Sequence, residues 1–264
     1  MPAPKVLLLH GLLSGAVAWD GVGRELSSIV ETVAPNLAGY GGERNPDGQY
    51  TLEALVDRLE PLLDVEQPTH ILGHSMGGIV ALALAARWPG RFERLGVVGL
   101  PVYHDREDGL AFIHQRGLLL RAVLRTDWLS HYGCSALYRG RTFWRPVVPF
   151  AVPRQPLTHV RAAFHHSRES HEGSLNRVVF ANHVPRLAAR TATPVVALHG
   201  GRDRSARIDR VRELAREQRW DLAVSPTAGH QIIIERPRLV ARWATSRLLA
   251  PAPATKAISS AAGH

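Results

Sequence analysis

The chain has 264 residues, 45% of them apolar and 21% charged, enough to bury a sizeable core as one large domain or as a domain carrying an insertion. One cysteine, Cys134, excludes an intrachain disulfide, and the longest uncharged apolar stretch, 76–86, is too short to cross a bilayer, so no stable membrane insertion is expected. The net charge of +9 comes from scattered arginines, with Lys5 and Lys256 the only lysines and no nucleic-acid module to accompany them; nucleic-acid binding is therefore not expected.

Residues 1–5 show no apolar leader ahead of the first strand, which gives cytoplasmic residence as the expectation. Residues 5–11 are a short, continuous apolar run ending in His10-Gly11, the pattern of a parallel strand covered on both faces. A helix is predicted over 17–28, with Trp19, Val22 and Leu26 inward, and a second strand over 31–35. The glycine-rich stretch 36–42 comes next as a loop. Thr51 is the predicted N-cap of a helix to 63, where Leu52, Leu55, Val56, Leu59 and Leu63 have helical spacing.

Residues 70–73 form the central strand, and Gly73-His74-Ser75-Met76-Gly77 comes directly after it. A Gly-x-Ser-x-Gly between a strand and a helix is the form of a nucleophile elbow, a turn so tight that side chains at its glycines would collide. It places Ser75 at a helix N-terminus, where unpaired N–H groups favour developing negative charge. The helix, 75–88, is apolar almost all round and stops at Pro89-Gly90. Buried strands are predicted over 95–100, 194–198 and 222–224. Helices are predicted over 208–218 and 237–249. This alternation implies a mostly parallel, doubly covered α/β sheet. From 101 to 190 the rhythm fails. Helical fragments at 109–124, 157–167 and 174–181 carry the chain instead, and residues 250–264 read as a disordered tail.

A serine hydroxyl needs a base to take its proton and a carboxylate to hold that base. Asp203 lies just past the strand at 194–198 in Gly200-Gly201-Arg202-Asp203, and His230 lies past the last strand in Gly229-His230. The order Ser75, Asp203, His230 is the one expected on such a sheet. Asp209 is the competing acid, six residues on and inside a predicted helix. His10, His74 and His199 abut these features and are expected to support loops by hydrogen bonding.

On these motifs the chain resembles the α/β-hydrolase fold family over 5–100 and 191–249, with 1–100 and 191–249 as the core and 101–190 as an inserted helical cap. The family's usual first two strands are missing, which implies a sheet of about six strands. The resemblance implies Ser75 as nucleophile, His230 as base and Asp203 as its orienting acid. It also implies an oxyanion hole from the backbone N–H groups of Leu12 and Met76, whose side chains are expected to line the acyl pocket. Leu13 and His74 are the expected substrate contacts. The expected reaction is hydrolysis of a carboxylic ester or thioester of a small to medium, fairly apolar compound.

Two other outcomes remain open. One is carbon–carbon bond hydrolysis, lactone opening or a lyase reaction on an anionic substrate beneath the cap, which holds 13 arginines against six acids (Asp105, Glu107, Asp108, Asp127, Glu169 and Glu172). The other is a low-turnover ligand-binding receptor. No nucleotide cofactor is expected, because neither glycine-rich loop has the Gly-x-Gly-x-x-Gly spacing. No metal is expected either, since His165, His166 and His171 lack ligand spacing. The expected partner is a small-molecule substrate alone, and no oligomeric state is indicated.

Overall fold

A computed structural model describes residues 4–43, 45, 47–114, 156–163 and 165–250. Six parallel strands form one sheet: β1 (Lys5–Leu9), β2 (Glu31–Val33), β3 (His70–His74), β4 (Arg94–Val98), β5 (Val195–Gly200) and β6 (Asp221–Ser225), in the order β2-β1-β3-β4-β5-β6. The continuous apolar runs do what two-sided burial requires. Leu7, Ile71, Leu95 and Val195 are in register across four strands and face one core, while Val6, Leu8, Leu72, Val98 and Val196 face the other. Gly96 leaves room on the second face, where a β-carbon would come within 2.6 Å of Leu72 Cδ1. The strand order reverses between β1 and β3, so a crevice opens at their C-terminal ends, where ligands bind in open α/β sheets.

Helices cover both faces. A 3₁₀ turn (Ala16–Trp19) leads into α1 (Asp20–Leu26), and the Asn36 side chain accepts from Ala16 N–H at its start. The predicted single helix over 17–28 is thus split, because Gly21 and Gly23 weaken it and Asn36 holds the first turn tight. α2 (Leu52–Glu66) is capped by the Thr51 side chain, which accepts from Ala54 N–H at 3.2 Å, as its sequence predicts. α3 (Met76–Arg87) is buried almost throughout. β2 is shorter than predicted, pairing through Val33 only, as suits an edge strand.

Between β4 and β5 the described residues are helical: α4 (Arg106–His114), α5 (Leu157–Ala163), α6 (Arg168–Ser174) and α7 (His183–Arg190), with a π-turn at Leu175–Val179. α4 starts three residues before the predicted 109. The helix predicted over 174–181 is instead the end of α6 and the π-turn, because Ser167 starts α6 earlier with a reciprocal side-chain cap on Ser170. α7, which packs on α3, is an additional helix that the sequence pattern does not predict. α8 (Ile208–Glu217), α9 (Ile232–Glu235) and α10 (Pro237–Trp243) complete the chain, and α10 widens into a second π-turn at Ala244–Leu248. Residues 115–155, which hold Asp127, Cys134 and the rest of the helical fragment predicted over 109–124, and the tail from 251 lie outside the described residues. Among the described residues no helix is long and apolar enough to cross a membrane.

Candidate active site

The turn from β3 to α3 is as tight as its glycines require. A β-carbon on Gly73 would lie 2.3 Å from Gly77 O, and one on Gly77 would lie 2.2 Å from Leu9 O. The turn forces Ser75 to φ +52° and ψ −122°, a conformation that costs a non-glycine residue about 1–3 kcal/mol. Backbone bonds hold it there: Ser75 N–H donates to Val98 O at 2.9 Å, and Gly78 N–H donates to Ser75 O at 2.8 Å.

The loops after β5 and β6 bring the other two groups in. Gly201 N–H donates to Ser225 O, and Arg202 N–H to Ala228 O, so the Asp203 turn and the His230 loop are tied together. Ser75 Oγ–H donates to His230 Nε2 at 3.0 Å, and His230 Nδ1–H donates to Asp203 Oδ2 at 2.8 Å. Asp203 Oδ1 accepts from the N–H groups of Ser205 (2.7 Å) and Ala206 (2.9 Å). The Asp203 side chain is fully buried. Burial alone would push its pKa up. The His230 hydrogen bond and charge, the neighbouring His199 and the Ser205 N–H outweigh that and hold the carboxyl below its usual 3.8. Asp209, the competing acid, pairs with Arg207 at 2.8 Å in the first turn of α8.

Three buried histidines frame the set, each with a tautomer that its partners dictate. Leu37 N–H donates to His10 Nε2 at 2.9 Å, so His10 carries its proton on Nδ1 and donates to Gly11 O; it staples the loop after β1 to the loop after β2. His74 Nε2–H donates to His230 O at 2.9 Å and supports the backbone of the His230 loop. His199 Nε2–H donates to Ala206 O at 3.2 Å and stands 3.7 Å from Asp203 Oδ2. Burial lowers the pKa of His10 to about 4. Burial, then the neighbouring His230, takes His74 to about 3. The expectation that these three support loops holds.

Ser75 and His230 open onto a cavity of about 380 Å³. Leu12, Leu13 and Ser14 line it from the loop after β1, beside His74, and Leu13 sits at φ +53°. Of the expected contacts, Leu12, Leu13 and His74 are therefore on the wall. Met76 is not: its side chain is fully buried in the core beneath α3, because the first helical turn directs it back toward the sheet. Its expected contribution reduces to the backbone N–H.

The opposite wall carries no signal in the sequence pattern. It comprises Pro101, Tyr103, Leu110, His159, His171, Leu175, Val179 and Phe180, with Ser205 and Gln231 at the strand ends. Tyr103 stacks edge-on against Phe180 at 5.5 Å, and its hydroxyl donates to Ser205 O. Gly99 is a further position that the motifs do not reveal. It adopts φ +58°, and a β-carbon there would lie 3.4 Å from both Asp203 Oδ2 and His230 Nδ1. Only its place just past a strand end could have marked it. No arginine or lysine is among the described residues lining the cavity. Among the described residues no three His, Cys, Asp or Glu side chains gather as a cation site.

The alpha/beta hydrolase family profile matches residues 6–243. The chain is 38% identical over 101 residues to a 2-hydroxymuconate semialdehyde hydrolase of Pseudomonas sp. (strain CF600), covering 36% of this chain and 35% of that one. It is 34% identical over 124 residues to a pimeloyl-[acyl-carrier protein] methyl ester esterase of Aromatoleum aromaticum, covering 47% and 48%. The chain thus spans less than half the length of these curated relatives. A hydrolase from Pseudomonas aeruginosa PA01 shares the fold, with a TM-score of 0.71 and 24% identity over 94% of this chain and 91% of that one. The chain belongs to the alpha/beta hydrolase family.

Proposed function

We propose that the chain is a serine hydrolase that cleaves a carboxylic ester or thioester of a small to medium, largely apolar compound through an acyl-enzyme on Ser75. The observation that carries this reading is the unbroken hydrogen-bonded chain from Ser75 through His230 to Asp203, with Ser75 and His230 on the cavity wall. As Ser75 Oγ attacks the carbonyl carbon, its proton passes to His230 Nε2. The resulting imidazolium is stabilised by the buried Asp203 carboxylate. The N–H groups of Leu12 and Met76 receive the oxyanion, and each such donor contributes about 10²–10³ in rate. His230 then protonates the departing alcohol or thiol, and later activates water to release the acid and restore Ser75. The described helices between β4 and β5 act as a cap over this end of the sheet. The single cysteine suits a reducing compartment, and we place the protein in the cytoplasm on that ground.

The second reading is carbon–carbon bond hydrolysis, favoured by the 38% identity to the semialdehyde hydrolase. An anionic substrate of that kind finds no arginine or lysine among the described residues of the cavity wall. Hydrolysis of p-nitrophenyl esters from acetate to palmitate, by wild type and Ser75→Ala in parallel, tests the proposal. Turnover lost in Ser75→Ala supports it. Absence of ester turnover, with cleavage of a vinylogous 1,5-diketone, would replace it with the second reading.

A further inference from the structure

We infer that Phe180, seated in a notch that Gly109 leaves in α4, sets how long an apolar arm of the substrate can be. This rests on the serine-hydrolase reading and narrows its substrates to those whose chain ends before the Phe180 ring.

Phe180 is 3% exposed and lines the cavity onto which Ser75 and His230 open. It shares that wall with Leu175 and Val179 of the π-turn and with Tyr103 and Leu110 from the segment after β4. The π-turn explains how 175, 179 and 180 come to one side. Phe180 N–H donates to Leu175 O at 2.9 Å, five residues back. An α-helix, with 3.6 residues per turn, would stack 175 and 179 and swing 180 away. The wider turn brings residue 180 round to join them.

The ring is held on two other sides. Tyr103 meets it edge-on, with centroids 5.5 Å apart and planes at 70°, and Tyr103 OH is itself tied to Ser205 O. α4 lies on the second side. A β-carbon on Gly109 would fall 2.2 Å from Phe180 Cε1 and 2.4 Å from Cδ1, so the ring fills the space that any other side chain would take. Glycine is a poor residue for a helix interior, and Gly109 has no positive φ to require it. The close approach of the ring is what requires it. α4 is moored as well. Asp105 Oδ1 accepts from Asp108 N–H at 2.8 Å, and Asp108 accepts from His104 N–H at 3.1 Å and from Arg207, at the start of α8, at 2.8 Å. A ring displaced from the notch therefore has the cavity to move into.

The wall also says what kind of arm it meets. Leu110, Leu175, Val179 and Phe180 offer carbon alone. A hydrocarbon chain gains with each methylene buried there, and a methylene that collides with a close-packed ring is rejected.

The test is the chain-length profile. p-Nitrophenyl esters from acetate to palmitate vary the acyl arm, and n-alkyl acetates from methyl to dodecyl vary the alcohol arm. kcat/KM, normalised to the shortest ester of each series, is measured for wild type, Phe180→Ala, Phe180→Leu, Gly109→Ala and the Gly109→Ala/Phe180→Ala double variant, with circular dichroism and a melt on each. In one series the optimum should move about two carbons or more longer in Phe180→Ala, with about a tenfold gain in normalised kcat/KM for the first ester past the wild-type limit. Phe180→Leu should move it the same way by less, and keeps the test open if Phe180→Ala does not fold. Gly109→Ala should move it shorter by about one carbon or more, and that shortening should vanish in the double variant, which has no ring to displace. A merely structural pair would change Tm and leave the normalised profiles superimposable. Superimposable profiles in both series for the Phe180 variants overturn the inference, as does a Gly109→Ala shortening that persists without the ring. A binding arm needs no turnover: Kd for straight-chain methyl ketones, 2-butanone to 2-undecanone, is measured by ligand-observed NMR on Ser75→Ala with and without Phe180→Ala, and the same lengthening is expected. If no ester is hydrolysed in a Ser75-dependent way while the ketone profile still lengthens, the serine-hydrolase reading fails and the Phe180 limit stands.

Discussion

Replacing Asp203 with asparagine separates orientation from packing. Oδ1 of Asp203 accepts from the N–H groups of Ser205 and Ala206, while Oδ2 faces His230. An asparagine keeps its carbonyl on the two backbone donors and turns its NH₂ toward His230. That amide is a donor, so His230 must present an unprotonated Nδ1 and carry its proton on Nε2. The nitrogen facing Ser75 Oγ, 3.0 Å away, is then already protonated and cannot accept the serine proton. We expect kcat to fall about 10⁴-fold, equivalent to about 5.4 kcal/mol of barrier, as for a triad held in the wrong tautomer. The fold should lose little, about 1–2 kcal/mol, since all three hydrogen bonds keep a partner and lose only the assistance of the carboxylate charge. Asp203→Ala should unfold more readily, because it strands two backbone donors. Ester kinetics with purified Asp203→Asn, urea midpoints for both variants and ¹⁵N chemical shifts of His230 read these effects separately. Retention of more than a tenth of wild-type kcat in Asp203→Asn would refute the assignment of the acid.

Two further predictions concern stability. Ser75→Gly relieves the φ of +52° and should raise stability by about 1 kcal/mol, the strain of about 1–3 kcal/mol being partly offset by glycine's greater unfolded entropy. That is about 2–4 °C in Tm, with activity abolished; a lower Tm would show that the backbone at Ser75 is unstrained. His10 and His74 are buried neutral, with pKa values lowered from 6.5 to about 4 and about 3. Between those values and 6.5 the unfolded chain binds protons that the native state does not, so stability falls as pH drops from 6.5 toward 4. Each contributes a slope of up to about 1.4 kcal/mol per pH unit. Urea midpoints at pH 7, 6, 5 and 4 check this; a flat profile would contradict the burial argument.

The sheet and the positions of the candidate triad are legible in the sequence because each is encoded locally. A parallel strand covered on both faces needs an apolar interior run, and β1, β3, β4 and β5 have one, each buried throughout or from its second residue on. The elbow needs glycines where backbones nearly touch, and Gly73 and Gly77 stand there. Asp203 and His230 are legible from their places in the loops just beyond β5 and β6. The cavity's far wall is not legible, because Tyr103, Val179 and Phe180 meet only through tertiary packing of segments about 75 residues apart. The split of the first helix depends on Asn36, a side chain from a later loop. Met76 reads as a wall residue from its adjacency to the nucleophile, yet adjacency says nothing about where the first helical turn directs a side chain.

The most direct test of the central claim is covalent trapping. Wild-type protein is treated with a fluorophosphonate, and the adduct is located by intact and peptide mass spectrometry. The account predicts one adduct on Ser75, none on that peptide in Ser75→Ala, and labelling slowed at least about 10²-fold in His230→Ala, where the base is gone. A folded wild-type protein that remains unlabelled, or one labelled on another residue, would contradict it.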